Sequence, residues 1–171
     1  MKANAGEVYT VYNQYLKRYT ACQVAYIAPP DSVSEQPCAV ILSLDWVGDA
    51  PLTAEELPHL RPLYKDFMYW PRDLHLLRVS VEVPPQYTLV GTLPPFTDQP
   101  CRSYGGWDNG YEVYLQMRWQ AIPEKRRRAF KEAMESDEQT EIGGIPLKVS
   151  SHRVMDQYAP FDSALELKAL P

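Results

Sequence analysis

Residues 7–28 read EVYTVYNQYLKRYTACQVAYIA, and the fold turns on how this stretch is taken. Val, Tyr and Thr dominate it, the residue types that suit a pleated, half-buried surface. The polar interval from Asn13 to Arg18 interrupts them, so the stretch reads as one strand and a second that returns. The next segment, PPDSVSEQP, gathers Pro, Ser and Asp and reads as a loop. CAVILSLDW at 38–46 is almost continuously apolar, as expected of a strand covered on both faces.

Working outward, Thr53 and Glu56 have the spacing of a capping box, which starts a helix at Thr53. Pro58 and Pro62 keep that helix short or break it into tight turns. LYKDFMYW (63–70), LLRVSVEV (76–83) and YTLVG (87–91) are further strand candidates, separated by Pro-containing links. Residues 112–120 alternate as a strand would, yet Tyr111, Tyr114 and Leu115 share a helical face among good helix formers, and helix is the favoured reading. A second helix is expected over 123–136, with Pro123 in its first position and Phe130 and Met134 on one face. Gly143-Gly144 predicts a turn and 145–154 a last strand, with residues 163–171 a loose tail. The sum is one α+β domain over 1–171: an antiparallel twisted sheet with two or three helices packed on it.

Composition narrows the class. A fold of 171 residues removes roughly 70% of the unfolded chain's surface from water, so a core needs no staples. An apolar fraction of 45% and a charged fraction of 23% are globular values, while 16 Pro and 12 Tyr stand out. MKANAGEVYT lacks the apolar stretch of a secretory signal and no run approaches the roughly 18 apolar residues of a membrane span, so the expectation is a soluble, cytoplasmic protein without a membrane partner. Cys22, Cys38 and Cys101 are odd in number and far apart, which fits reduced buried thiols. The net charge of −5 gives no general attraction to nucleic acid. Its distribution is uneven: between Arg18 and Arg61 there is no Lys or Arg, while Asp31, Glu35, Asp45, Asp49, Glu55 and Glu56 fall there.

Chemical signatures are sparse. His59, His75 and His152 are scattered, no ligand pair has metal-site spacing, and neither a metal nor a cofactor is expected. The α/β-hydrolase nucleophile elbow is absent from the sequence, and SYGGWDNG lacks the spacing of a phosphate loop. In KRRRAFK the arginines are consecutive and point to different sides of a helix, with Glu124, Glu132 and Glu135 within reach, so the run reads as a solvated, salt-bridged face. Glu55 and Glu56 are accounted for by the first helical turn. Asp45 and Asp49 flank Trp46 at a strand end, where a Trp beside carboxylates suits a protein-binding surface.

Two segments carry a resemblance. GEVYTVYNQYLKRYTACQVAYI and YEVYLQMRWQAI, the latter with Gln116, Arg118 and Trp119, resemble the bacterial immunity proteins that neutralise polymorphic toxins, most of all the group numbered family twenty-six. Pro123 departs from one continuous helix through the Arg-Trp motif. The resemblance implies an α+β protein that binds one cognate toxin in the bacterial cytoplasm and blocks its active site or an essential surface, with no catalytic residues. An acidic, Tyr- and Trp-rich chain suits a basic partner through electrostatic steering. Asp45, Trp46, Asp49 and Glu55 are the first expected partner-binding residues, and Tyr104, Trp107 and Asp108 the second. Oligomeric state is left open. The alternative is a hydrolase that reverses a toxin's modification, with Asp45 and Asp49 as acid and base or metal ligands.

Overall fold

A computed structural model describes residues 1–67, 72–108, 110–125 and 127–128, together with the backbone of 141–142 and 145–146. The expected strand residues 68–70 and 147–154, the helical residues 126 and 129–136 and the tail 163–171 lie outside the described residues. The chain divides into two compact units, Met1–Lys65 with Arg72–Tyr114, and Asp66–Pro71 with Leu115–Pro171. No shift of composition marks the second unit, which draws its residues from two separate segments.

The first unit is built on the 7–28 hairpin. β1 (Glu7–Asn13) pairs antiparallel with β2 (Arg18–Ala28), from Val8 against Gln23 to Asn13 against Arg18. The turn forms because Asn13 Oδ1 accepts from the backbone N–H of Tyr15 at 3.0 Å and of Leu16 at 3.2 Å. Lys17 closes it at a φ of 54°, a left-handed conformation. β3 (Cys38–Gly48) lies against β2, and β6 (Leu76–Ser80) against β3. β7 (Thr88–Thr92) pairs with β1, completing a five-stranded antiparallel sheet of order β6-β3-β2-β1-β7. β4 (Tyr64–Lys65) and β5 (Asp73–Leu74) form a separate antiparallel pair. The fold class is α+β, as the alternation and the turns implied.

The apolar run of β3 is buried from Cys38 to Leu44 because both faces of the sheet carry core. Val40, Leu42 and Leu44 point to one side, with Val8, Leu52, Leu57 and Leu60. Ala39 and Ile41 point to the other, with Tyr9, Val79, Tyr87 and Trp107. Each fully buried Leu or Ile contributes on the order of 1.5–3 kcal/mol, so a one-residue slip of β3 would exchange two complete sets of core contacts.

Gly6 opens β1 at a φ of +88°, where a Cβ would stand 2.7 Å from the Leu93 carbonyl oxygen. That close approach lets Gly6 donate to Val24 O at 2.7 Å and accept from Leu93 N–H at 2.9 Å, tying the strand to both neighbours.

The helix expected at Thr53 is a 3-10 turn, Ala54–His59, with Pro58 inside it. α1 (Gly110–Ala121) settles the ambiguous 112–120 segment as helix. Its residues up to Tyr114 belong to the first unit and the remainder to the second. In the second unit the helix stops before Pro123 and helical backbone resumes at Glu124. There Gln116 Oε1 accepts from the N–H of Asp66 at 2.9 Å and of Phe67 at 3.2 Å, and its Nε2 donates to Asp66 Oδ1 at 2.8 Å. Arg128 pairs with Glu124 at 3.2 Å, the salt-bridged surface expected of the basic run. β8 (Glu141–Ile142) and β9 (Ile145–Pro146) pair antiparallel, and the turn expected at Gly143-Gly144 lies outside the described residues.

Candidate functional site

The carboxylates of the 44–57 stretch have separate fates. Glu56 accepts from the N–H and the hydroxyl of Thr53, both at 2.9 Å, and from Trp46 Nε1 at 3.2 Å. These bonds hold its carboxyl below the usual range, the Thr53 backbone bond foremost. Trp46 is half-buried against the core and its ring lies over Gly48, where a Cβ would meet it at 2.6 Å. It is therefore committed to the fold rather than held out as an anchor. Asp49 is 88% exposed and stands 2.8 Å from Arg18 Nε, a charge contact without directed hydrogen-bond geometry. Asp45 and Glu55 are exposed, and the Asp45 N–H donates to Arg61 O at 2.8 Å. Nothing encloses Asp45 and Asp49 away from water, which a pair with split acidities requires.

Of the second group, Trp107 is 5% exposed, and this corrects its expected place at a partner surface. Its Nε1 donates to Ser80 O at 2.8 Å, and its ring meets the edges of Tyr9 and Tyr87 at 5.8 and 5.0 Å. Large aromatics beside glycines look like a displayed loop in sequence, but this one fills the second core. Tyr104 belongs to a clamp: its hydroxyl donates to Asp31 and accepts from Arg78 at 2.9 Å, and Arg78 also pairs with Asp31. The Tyr104 bond, two backbone N–H groups and the Arg78 charge hold the Asp31 carboxyl down to about 2. The clamp fastens the 29–37 loop to the 101–104 segment.

Sequence reading missed a buried polar chain. Ser43 Oγ lies 2.8 Å from His75 Nδ1, and His75 Nε2 lies 2.7 Å from Glu112 Oε2, with Lys65 at 3.6 Å. A serine, a histidine and a carboxylate in sequence of contact resemble a hydrolytic relay. However, Ser43 is 1% exposed inside β3, so a substrate has no approach to its hydroxyl and the chain is a structural strut. The hydrogen bond from His75 foremost, with the nearby Lys65 charge, pulls the Glu112 carboxyl down to about 2.

That depression sets a pH dependence. A carboxyl with a lowered folded pKa adds stability fully present above its ordinary value of 4.5, and the gain is lost as pH falls toward about 2. The Glu112 side chain is 46% exposed, so solvent screening reduces the effect to about 1–2 kcal/mol. Wild type is expected to lose that much more stability than Glu112→Gln between about pH 5 and pH 2.5. Equal acid slopes in denaturant titrations of the two proteins would contradict it.

Among the described residues, an exposed aromatic surface was only partly visible in sequence. Tyr12 faces Tyr19 across the hairpin with ring centroids 5.4 Å apart. Tyr15, at the turn, lies 5.1 Å from Tyr111 and 6.1 Å from Tyr114 of α1, which stack on one another at 5.9 Å. Asn13 Nδ2 donates to Gly110 O at 2.9 Å and fixes the turn against the helix start. Tyr12, Tyr15 and Tyr111 remain 52%, 42% and 37% exposed. A pocket of about 350 Å3 opens beside Tyr12 and Tyr15, lined also by Gln14, Gln86 and Asp108. Asp49 joins this end of the sheet because Arg18, its partner, is paired with Asn13. The signal in the sequence was the run of tyrosines at 12, 15 and 19 with the helical pair at 111 and 114; their convergence was not.

Among the described residues no three His, Cys, Asp or Glu side chains gather as a metal site would need, and no helix is long and apolar enough to cross a membrane. Compared with known proteins, the chain matches no protein family, no curated protein and no solved structure.

Proposed function

We propose that this chain is a binding protein that neutralises a cognate bacterial toxin in the cytoplasm, covering the toxin's active site or an essential surface and carrying out no reaction itself. The observation that supports this reading is the tyrosine face of the first unit, with Tyr12, Tyr15 and Tyr111 exposed and Asp49 and Asp108 at its margins. Tyrosine supplies large contact area at low entropic cost, and such rings dominate the energy of protein interfaces. Carboxylates at the margin favour a basic partner and speed its approach.

The test is co-expression with candidate toxin domains drawn from the neighbouring genes, scored by growth. Protection by wild type supports the reading, and unprotected cells that contain folded protein reject it. Reversing Asp45 and Asp49 to Lys is expected to slow association with that toxin about tenfold at low salt and to flatten its salt dependence. Unchanged association kinetics would remove both carboxylates from the interface.

A further inference from the structure

We propose that the pocket between the β1–β2 turn and Asp108 receives an arginine side chain of the partner protein. This rests on the reading of the tyrosine face as a partner surface and names what that surface recognises. About 350 Å3 is at the small end of the roughly 300–1,000 Å3 of ligand pockets, a size for one long side chain.

Asp108 is the only charged side chain among the residues that line it, and it has no ion-pair partner among the described residues. Burial foremost, with the Asp108 charge among the lesser causes, holds the Tyr87 phenol of the pocket wall above its ordinary pKa. Gly110, the start of α1, also lines the pocket, and a helix N-terminus carries about half a positive charge. The full charge of Asp108 exceeds that half, so the pocket favours a cation.

Tyr12, Tyr15, Gln14 and Gln86 among its lining residues select further. A guanidinium stacks on a phenol and donates in a planar fork to a carboxylate, which a compact ammonium cannot do. The molecule already contains this arrangement once: Arg78 lies 5.4 Å from the Tyr104 ring centre while pairing with Asp31. The pocket presents the tyrosine and the aspartate of that trio and lacks the arginine.

The test titrates the full chain with N-acetyl-arginine amide and with the neutral isostere N-acetyl-citrulline amide, followed by amide chemical shifts. The arginine amide is expected to saturate with a Kd on the order of a millimolar, shifting Gln14, Gln86, Asp108 and Gly110. The citrulline amide, and the arginine amide with Asp108→Asn, are expected to bind at least about tenfold more weakly. Absent saturation, equal binding of the two amides, or undiminished binding by Asp108→Asn would each overturn the inference. A toxin that binds Asp108→Asn as tightly as wild type overturns the pocket's role and leaves the proposed function standing. Asp108-dependent arginine binding by a chain that protects against no toxin supports the pocket and rejects the function.

Discussion

Asn13→Ala is expected to destabilise the first unit by about 2–4 kcal/mol and to open the tyrosine surface at the same time. Asn13 is 3% exposed, and three of the four hydrogen-bonding positions of its amide are used. The oxygen accepts from the N–H groups of Tyr15 and Leu16, and the nitrogen donates to Gly110 O. Alanine removes the acceptor of the Tyr15 and Leu16 N–H groups and the tie to Gly110 O, and the Leu16 amide sits beside a side chain with no exposure to supply water. Asn13→Asp separates the two roles. It keeps the acceptor that shapes the turn, loses the donor, and sets a carboxylate against a carbonyl, so an intermediate loss is expected. Urea denaturation measures both, and amide exchange at Tyr15 and Leu16 reports the turn. A loss below about 0.5 kcal/mol for alanine would mean the hairpin holds its turn by strand pairing alone.

The hairpin, the doubly covered β3 strand and the start of the 3-10 turn were legible because each is written in neighbouring residues: a period, a run of apolar positions, a Thr and a Glu three apart. β7 as a partner of β1 was not, since Tyr9 meets Leu89 across a long separation and nothing local to either states that pairing. The same separation hid the polar chain. Ser43, His75 and Glu112 are unremarkable in their own segments and meet only because β3, the step between β5 and β6, and α1 converge. Trp107 was misplaced for a different reason. SYGGWDNG has the composition of a displayed loop, and only the space between Tyr9 and Tyr87 turns its indole inward. Among the carboxylates local chemistry sufficed for Glu56, whose partners are within ten residues, and failed for Asp108, whose surroundings come from the β1–β2 turn.

Tyr15→Ala and Tyr111→Ala are each expected to weaken binding of the neutralised toxin by about 30-fold, close to 2 kcal/mol, with a smaller loss of fold stability. The two rings lie 5.1 Å apart, and a contact of this kind adds about 0.5–1.5 kcal/mol to the fold. Partner contacts are worth more because Tyr15 and Tyr111 keep 42% and 37% of their surface to bury on binding. The rings share one patch, so the double variant is expected to lose less than the product of the single effects. Tyr15→Phe keeps the ring and removes the hydroxyl. Affinity close to wild type for that variant would assign the energy to stacking and apolar burial, and a loss equal to that of alanine would assign it to a hydrogen bond from the phenol. Affinities within twofold of wild type for both alanine variants would remove the tyrosine face from the interface. The acidic margin at Asp45 and Asp49 would then be the surface left to account for the partner, and the charge reversals there would become the deciding measurement.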